Sequence, residues 1–168
     1  MCKERFRILA EVIAAHPART AKGRTRLQKT IMLLQSLGLE TDYSYMLHFY
    51  GPYSEGLQAE VGLLEQLGFI SEKAELLEEG RLFYTIEADP SLNCEEISEK
   101  YGEHIKLMSK AKFEHLELAA TYQAFIESGF DSDKSLEMVK YKKPRSATEE
   151  NLKGAMELLE KLELRKAA

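Results

Sequence analysis

At 168 residues, with 44% apolar and 30% charged side chains, the chain is long enough to bury one sizeable core and too hydrophobic to stay disordered. No apolar run approaches the roughly 20 residues of a membrane span, and no long apolar core follows the basic first residues, so a cytoplasmic address is expected. The net charge of −5 argues against a general polyanion binder, and two cysteines without a Cys-x-x-Cys spacing exclude a thiolate zinc site; Cys2 and Cys94 are expected to be free thiols.

Phe6, Leu9 and Ile13, with Ile8 and Val12 beside them, predict an amphipathic helix over residues 3 to 15, ended by His16-Pro17. Residues 17 to 24 read as a polar, basic connection. Thr25 and Gln28 form a capping-box pattern that starts a second helix, and Gly38 stops it. Its stripe of Leu27, Ile31, Leu34 and Leu37 places it centrally in the core.

Tyr45 to Tyr50 alternate as a strand with one buried face, and Gly51-Pro52 turns that strand into a helix capped by Ser54. This third helix, to about Leu67, points Leu57, Val61, Leu64 and Leu67 inward and Glu55, Glu60 and Glu65 to solvent. Gly68 closes it. Phe69-Ile70 then begins a strand, and Leu82 to Ile86 form its hairpin partner across the acidic segment 72 to 81. Two helices, then a helix and a hairpin, is the element order of a winged-helix domain, with the wing at Lys73 to Gly80.

Beyond Asp89-Pro90 the pattern is helical. Ile97, Tyr101, Ile105 and Met108 stripe a helix from about Cys94 to Lys112. Phe113 to Ser128 is apolar on two sides, which predicts a helix buried between neighbours. A short helix follows Ser132, and a last one begins at a second capping box, Ser146 with Glu149. The fold class is therefore α+β, mainly α: a winged-helix-like half with a small β-hairpin (1–90) and a helical half (91–168) packed on it as one unit.

Motifs of chemistry are sparse. His16, His48, His104 and His115 make no H-E-x-x-H and no pair four residues apart on one helix. His115 and Glu117, two residues apart, do not share a helix face. No G-x-S-x-G, P-loop or G-x-G-x-x-G occurs. The expectation is a non-enzymatic protein without catalytic residues, metal or cofactor.

Two surfaces are candidates for binding. Residues 1 to 29 hold eight Lys or Arg against two Glu, whereas residues 30 to 90 hold two against eleven. The cluster Arg19, Lys22, Arg24, Arg26 and Lys29 is the nucleic-acid candidate, set near a helix N-terminus where backbone N–H groups also favour phosphate. Against groove reading, the helix from Ser54 to Leu67 has no Lys or Arg and three Glu. Lys140, Lys142, Lys143 and Arg145 form a second basic patch. The aromatic turn at His48, Tyr50, Gly51, Pro52 and Tyr53 is the candidate protein-binding site, because aromatics on an exposed turn are what interfaces use.

Leu27-Gln28-Lys29 before an apolar helix, Tyr50-Gly51-Pro52-Tyr53-Ser54, and Leu64-Glu65-Gln66-Leu67-Gly68-Phe69-Ile70 resemble the YwgA-like uncharacterised proteins. More distantly, the Leu-Gln-Lys helix and later Gly-Pro resemble the Panacea (SocA-like antitoxin) domain. The resemblance is clearest over residues 24 to 72 and extends to Leu116 to Ala120 and Lys143-Pro144. Tyr53-Ser54 after Gly-Pro fits the YwgA-like pattern better. The resemblance implies a domain that binds and neutralises partner proteins or serves as an adaptor. The leading expectation is thus a regulatory or protein-interaction module with an unidentified protein partner. A DNA-binding regulator using the basic region and wing is the alternative, and homo-oligomerisation stays open.

Overall fold

The computed structural model describes residues 2 to 165, and the side chains of residues 4 to 165. The expected thiol of Cys2 and the last three residues of the helical half lie outside these. Helix α1 (Cys2–Ala14) buries Leu9, Val12 and Ile13 completely. Its end is fixed by His16, whose Nδ1 donates to the Val12 carbonyl at 2.8 Å, ahead of a 3-10 turn at Pro17–Arg19. Burial holds the His16 imidazole below its ordinary pKa, with its bond to Val12 opposing.

Strand β1 (Thr20–Lys22) follows, where the sequence pattern suggested only a connection. Three residues are too few for a readable alternation, and the partner that makes them a strand, Thr85 to Glu87, lies far along the chain. Helix α2 (Arg24–Ser36) starts from Gly23, not from a Thr25–Gln28 capping box, because the Gln28 amide is engaged elsewhere. Gly38, at φ +101°, ends it as expected.

The next segment departs most from expectation. Instead of one strand to Tyr50 and a Gly-Pro joint, there is a tight antiparallel hairpin: β2 (Met46–His48) pairs with β3 (Gly51–Tyr53) around a Phe49-Tyr50 loop. The Gly-Pro pair is itself strand, allowed because β3 is an edge and Pro52 need not donate there. Helix α3 (Glu55–Gln66) is capped as predicted, Ser54 Oγ accepting from the Leu57 N–H at 3.2 Å. Strands β4 (Ile70–Leu76) and β5 (Leu82–Ala88) form the long hairpin, and β1 joins it to give the order β1-β5-β4.

The second half is helical: α4 (Glu95–Lys110), α5 (Phe113–Glu127), α6 (Ser132–Lys142) and α7 (Glu149–Lys161). All four α4 stripe residues are buried. The cap of α7 is Thr148, whose hydroxyl accepts from Asn151 N–H, and not the expected Ser146 with Glu149. Helix α5 is enclosed by α2, α6, α7 and β3. That position explains its two apolar sides, and it carries the helical half against the hairpin. The architecture is α+β and mainly helical, with small antiparallel sheets.

Candidate functional site

The β2–β3 hairpin is too short to hold itself, since an isolated two-stranded ribbon is marginal in water. Helix α2 grips both of its flanks. Gln28 donates to the Ser54 carbonyl and accepts the Ser54 N–H, both at 2.9 Å. Two helical turns on, Gln35 donates to the Tyr43 carbonyl at 3.0 Å and accepts the Tyr43 N–H at 2.9 Å. A spacing of seven residues puts the two amides on one helix face, where each acts as one residue of an absent strand.

Between these clamps lies a buried group of charges. Lys29, 1% exposed, donates from Nζ to the Pro52 carbonyl at 2.6 Å. Lys143, just after α6, donates to Glu117 on α5 at 2.6 Å and to the Phe49 carbonyl at the hairpin loop. The Lys143–Glu117 pair is almost wholly desolvated. Thr121, one turn beyond Glu117, returns its hydroxyl to the Glu117 carbonyl at 2.7 Å. Burial pushes the Lys29 ammonium down to about 8; Glu117 opposes the shift and Lys143 adds to it. Gly51 sits directly on this group at φ +85°, and a Cβ there would lie 2.8 Å from Thr121 Oγ1. Only glycine meets both the backbone angle and the close approach.

The hairpin therefore has two sides. Gly51 and Pro52 are buried against the charged group, whereas Phe49 is 91% and Tyr50 63% exposed. Met46 and Leu47 are also exposed, His48 stands outside against the Tyr53 ring at 5.1 Å, and Tyr53 is half-buried. Of the five residues expected to bind a protein together, His48, Tyr50 and part of Tyr53 present a surface. Gly51 and Pro52 support it from beneath.

The expected nucleic-acid residues are mostly spent inside the fold. Arg19 donates to the Asp89 and Leu92 carbonyls at 2.8 and 2.9 Å. Arg24 pairs with Glu72 and stacks 3.6 Å above the Tyr84 ring centroid. Arg26 donates to the Met108 and Ala111 carbonyls at the end of α4, satisfying helix-terminal acceptors. Lys29 is interior. Of the cluster, Lys22 alone is exposed, so a continuous phosphate-binding face does not form from it.

Leu67, expected inward, is 58% exposed where α3 ends, and Glu60 differs from its expected solvent position in the opposite sense. It is buried and accepts hydrogen bonds from Arg5 and the Tyr43 hydroxyl. Glu117 is the central residue that sequence reasoning did not place. Its signal was available: a carboxylate flanked by Leu116, Leu118, Ala119 and Ala120 sits in an apolar helix and must find a buried cation. Lys143, read as part of an exposed basic patch, is that cation. Among the described residues no three His, Cys, Asp or Glu side chains converge as metal ligands, and no helix is long and apolar enough to cross a membrane.

Three of the residue groups that carry the family resemblance, Gln28-Lys29, Gly51-Pro52-Tyr53-Ser54 and Glu117 with Lys143, meet at this one place. Over 53 residues the chain is 42% identical to the "Uncharacterized protein YwgA" of Bacillus subtilis (strain 168). The match spans about a third of each chain, 32% of this one and 32% of that protein. No family model and no solved structure matches. The chain is thus similar in part to a YwgA-like protein.

Proposed function

We propose that the protein is a non-enzymatic protein-interaction module of winged-helix type, antitoxin- or adaptor-like, which engages a protein partner through the tip of the β2–β3 hairpin. The observation that carries this reading is the contrast within six residues. Phe49 and Tyr50 project into solvent from a backbone that buried Lys29, Lys143 and Gln28 hold in place. Apolar rings held this way cost little ordering on association, and aromatic anchors of that kind dominate binding energy where they fill a pocket. The winged-helix part draws support from the succession α1-β1-α2, then α3-β4-β5 after the inserted β2–β3 hairpin, with sheet order β1-β5-β4. The antitoxin- or adaptor-like part draws on the resemblance to the Panacea domain.

A DNA-binding regulator is the weaker reading, because four of its five proposed cations already have interior partners or burial. The deciding experiment is quantitative affinity capture with wild type, Phe49→Ala and Tyr50→Ala, each shown by thermal melting to be folded. Loss of a reproducible partner with both variants is expected. Undiminished recovery of that partner by both would overturn the reading.

A further inference from the structure

The hairpin tip is not alone on its face. Lys143 reaches the Phe49 carbonyl and lies 6.0 Å from the Tyr50 ring centroid, which brings the chain at the end of α6 to the tip; the nearest residues in sequence bear on what the tip presents. These are Lys140, Tyr141, Lys142 and Arg145, all exposed, Tyr141 to 78%. Among the described residues none of the three cations forms an ion pair. In a chain of net charge −5 these are unpaired cations next in sequence to the lysine that touches the tip, and Phe49, Tyr50 and Tyr141 are exposed with them.

The opposite composition occurs at the end of the long hairpin. Leu76 and Leu82 face each other across β4 and β5 and are 72% and 51% exposed. Glu78 and Glu79 lie in the loop that joins them and Glu75 precedes Leu76, all exposed and without ion pairs among the described residues, with exposed Arg81 as the one cation of that loop. One tip thus combines exposed aromatic rings with cations close in sequence to its lysine anchor, and the other an exposed leucine pair with carboxylates in and beside its loop. Apolar centre against apolar centre, with opposite charge at the rim, is the arrangement a specific contact uses.

We propose that the basic aromatic tip docks the acidic β4–β5 tip of a second copy of this chain. The two surfaces are different patches, so the contact is heterologous and generates a ring or an open chain. A single-stranded nucleic acid fits the rim less well. The Phe49 and Tyr50 rings meet edge to face at 66°, which does not offer successive bases two parallel faces. The inference rests on the reading of the tip as a binding surface and names one occupant of it. A second copy and an external partner then compete for Phe49 and Tyr50.

Sedimentation velocity of the full chain over a concentration series up to about 100 μM, at low and high salt, tests this, since a contact between two hairpin tips is small and weak. Wild type is expected to associate, more at low salt. Lys142→Glu/Arg145→Glu and Glu78→Lys/Glu79→Lys should each weaken association by about tenfold or more. Mixing the two variants restores opposite charge at both contacts and should restore assembly. A monomer throughout, variants that associate like wild type, or a mixture that stays apart overturns the proposal. In the first case, capture of an external partner that still depends on Phe49 and Tyr50 leaves the proposed function standing. A dT oligonucleotide that binds wild type and blocks its assembly would give the tip to nucleic acid and also overturn the proposal.

Discussion

The two hairpins of this protein are built on opposite principles. The β4–β5 hairpin has seven residues in each strand, a continuous ladder and a third strand beside it, so its own backbone bonding and sheet packing define it. The β2–β3 hairpin has three residues in each strand and, among the described residues, no third strand beside it, and is held by side chains of α2 and by Lys143 just after α6, itself anchored by Glu117 on α5. One is a secondary structure that stands largely by itself. The other is a surface feature held by tertiary contacts, which lets its loop carry two exposed aromatic rings without collapsing onto them.

The largest test of this difference is the buried ion pair. Lys143→Met removes the ion-pair partner of desolvated Glu117, leaving only the Lys29 ammonium nearby, and should destabilise the fold by about 3 kcal/mol in urea titration. Adding Glu117→Gln should recover part of that loss, since the carboxylate that needed Lys143 is then gone. The matched change in the long hairpin, Lys73→Met, removes an exposed partner of Glu87 and should cost about 0.5 kcal/mol or less. Equal losses at the two positions would break the comparison.

Backbone substitutions sharpen it. Gly51→Ala must place a methyl against Thr121 at positive φ, a cost of about 3 kcal/mol. Gly80→Ala at the other loop has φ +75° but open space around the new carbon, so only backbone strain, about 1 kcal/mol, is expected.

Titration gives a third, smaller test. Burial lowers the Lys29 pKa to about 8 from the ordinary 10.5. Between those values the unfolded chain binds the proton more tightly, so stability rises with pH. Below about 8 both states hold the proton and the full penalty of the buried ammonium remains. Denaturant titration of wild type against Lys29→Met should therefore show wild type gaining on the order of 2 kcal/mol relative to the variant from pH 7 to 10. A flat difference would mean that the ammonium is not desolvated.

The smallest effect on stability belongs to the residues proposed to matter most for binding. Phe49→Ala should leave stability within about 0.5 kcal/mol of wild type, measured by chemical denaturation, while abolishing partner capture.

Much of the fold was legible because helix patterns are local. The α4 stripe of Ile97, Tyr101, Ile105 and Met108, the Ser54 cap and the Gly38 and Gly68 stops depend on residues within a turn or two of each other, and the structure has them where the pattern put them. The β4–β5 hairpin was legible for the same reason, its strands being close in sequence. Strand β1 was not, because its partner β5 is remote. The Thr25–Gln28 and Ser146–Glu149 patterns failed because a capping box is a local option that a better partner can override. Gln28 is used to hold Ser54, and Thr148 supplies the cap that Ser146 was expected to give.

The candidate site divides along the same line. The sequence by itself determined that aromatic residues cluster around Gly51-Pro52 and that cations concentrate near the start of the chain and near residue 143. Only the tertiary structure decided which of them meet water. Desolvating a charge is tolerable where a carboxylate or carbonyl is waiting, and those acceptors come from distant segments: Glu72 for Arg24, the end of α4 for Arg26, Pro52 for Lys29 and Glu117 for Lys143. Composition and spacing specify how many cations there are and where they fall along the chain. Whether a lysine is a hand offered to a partner or a peg holding a hairpin depends on contacts that only folding brings together.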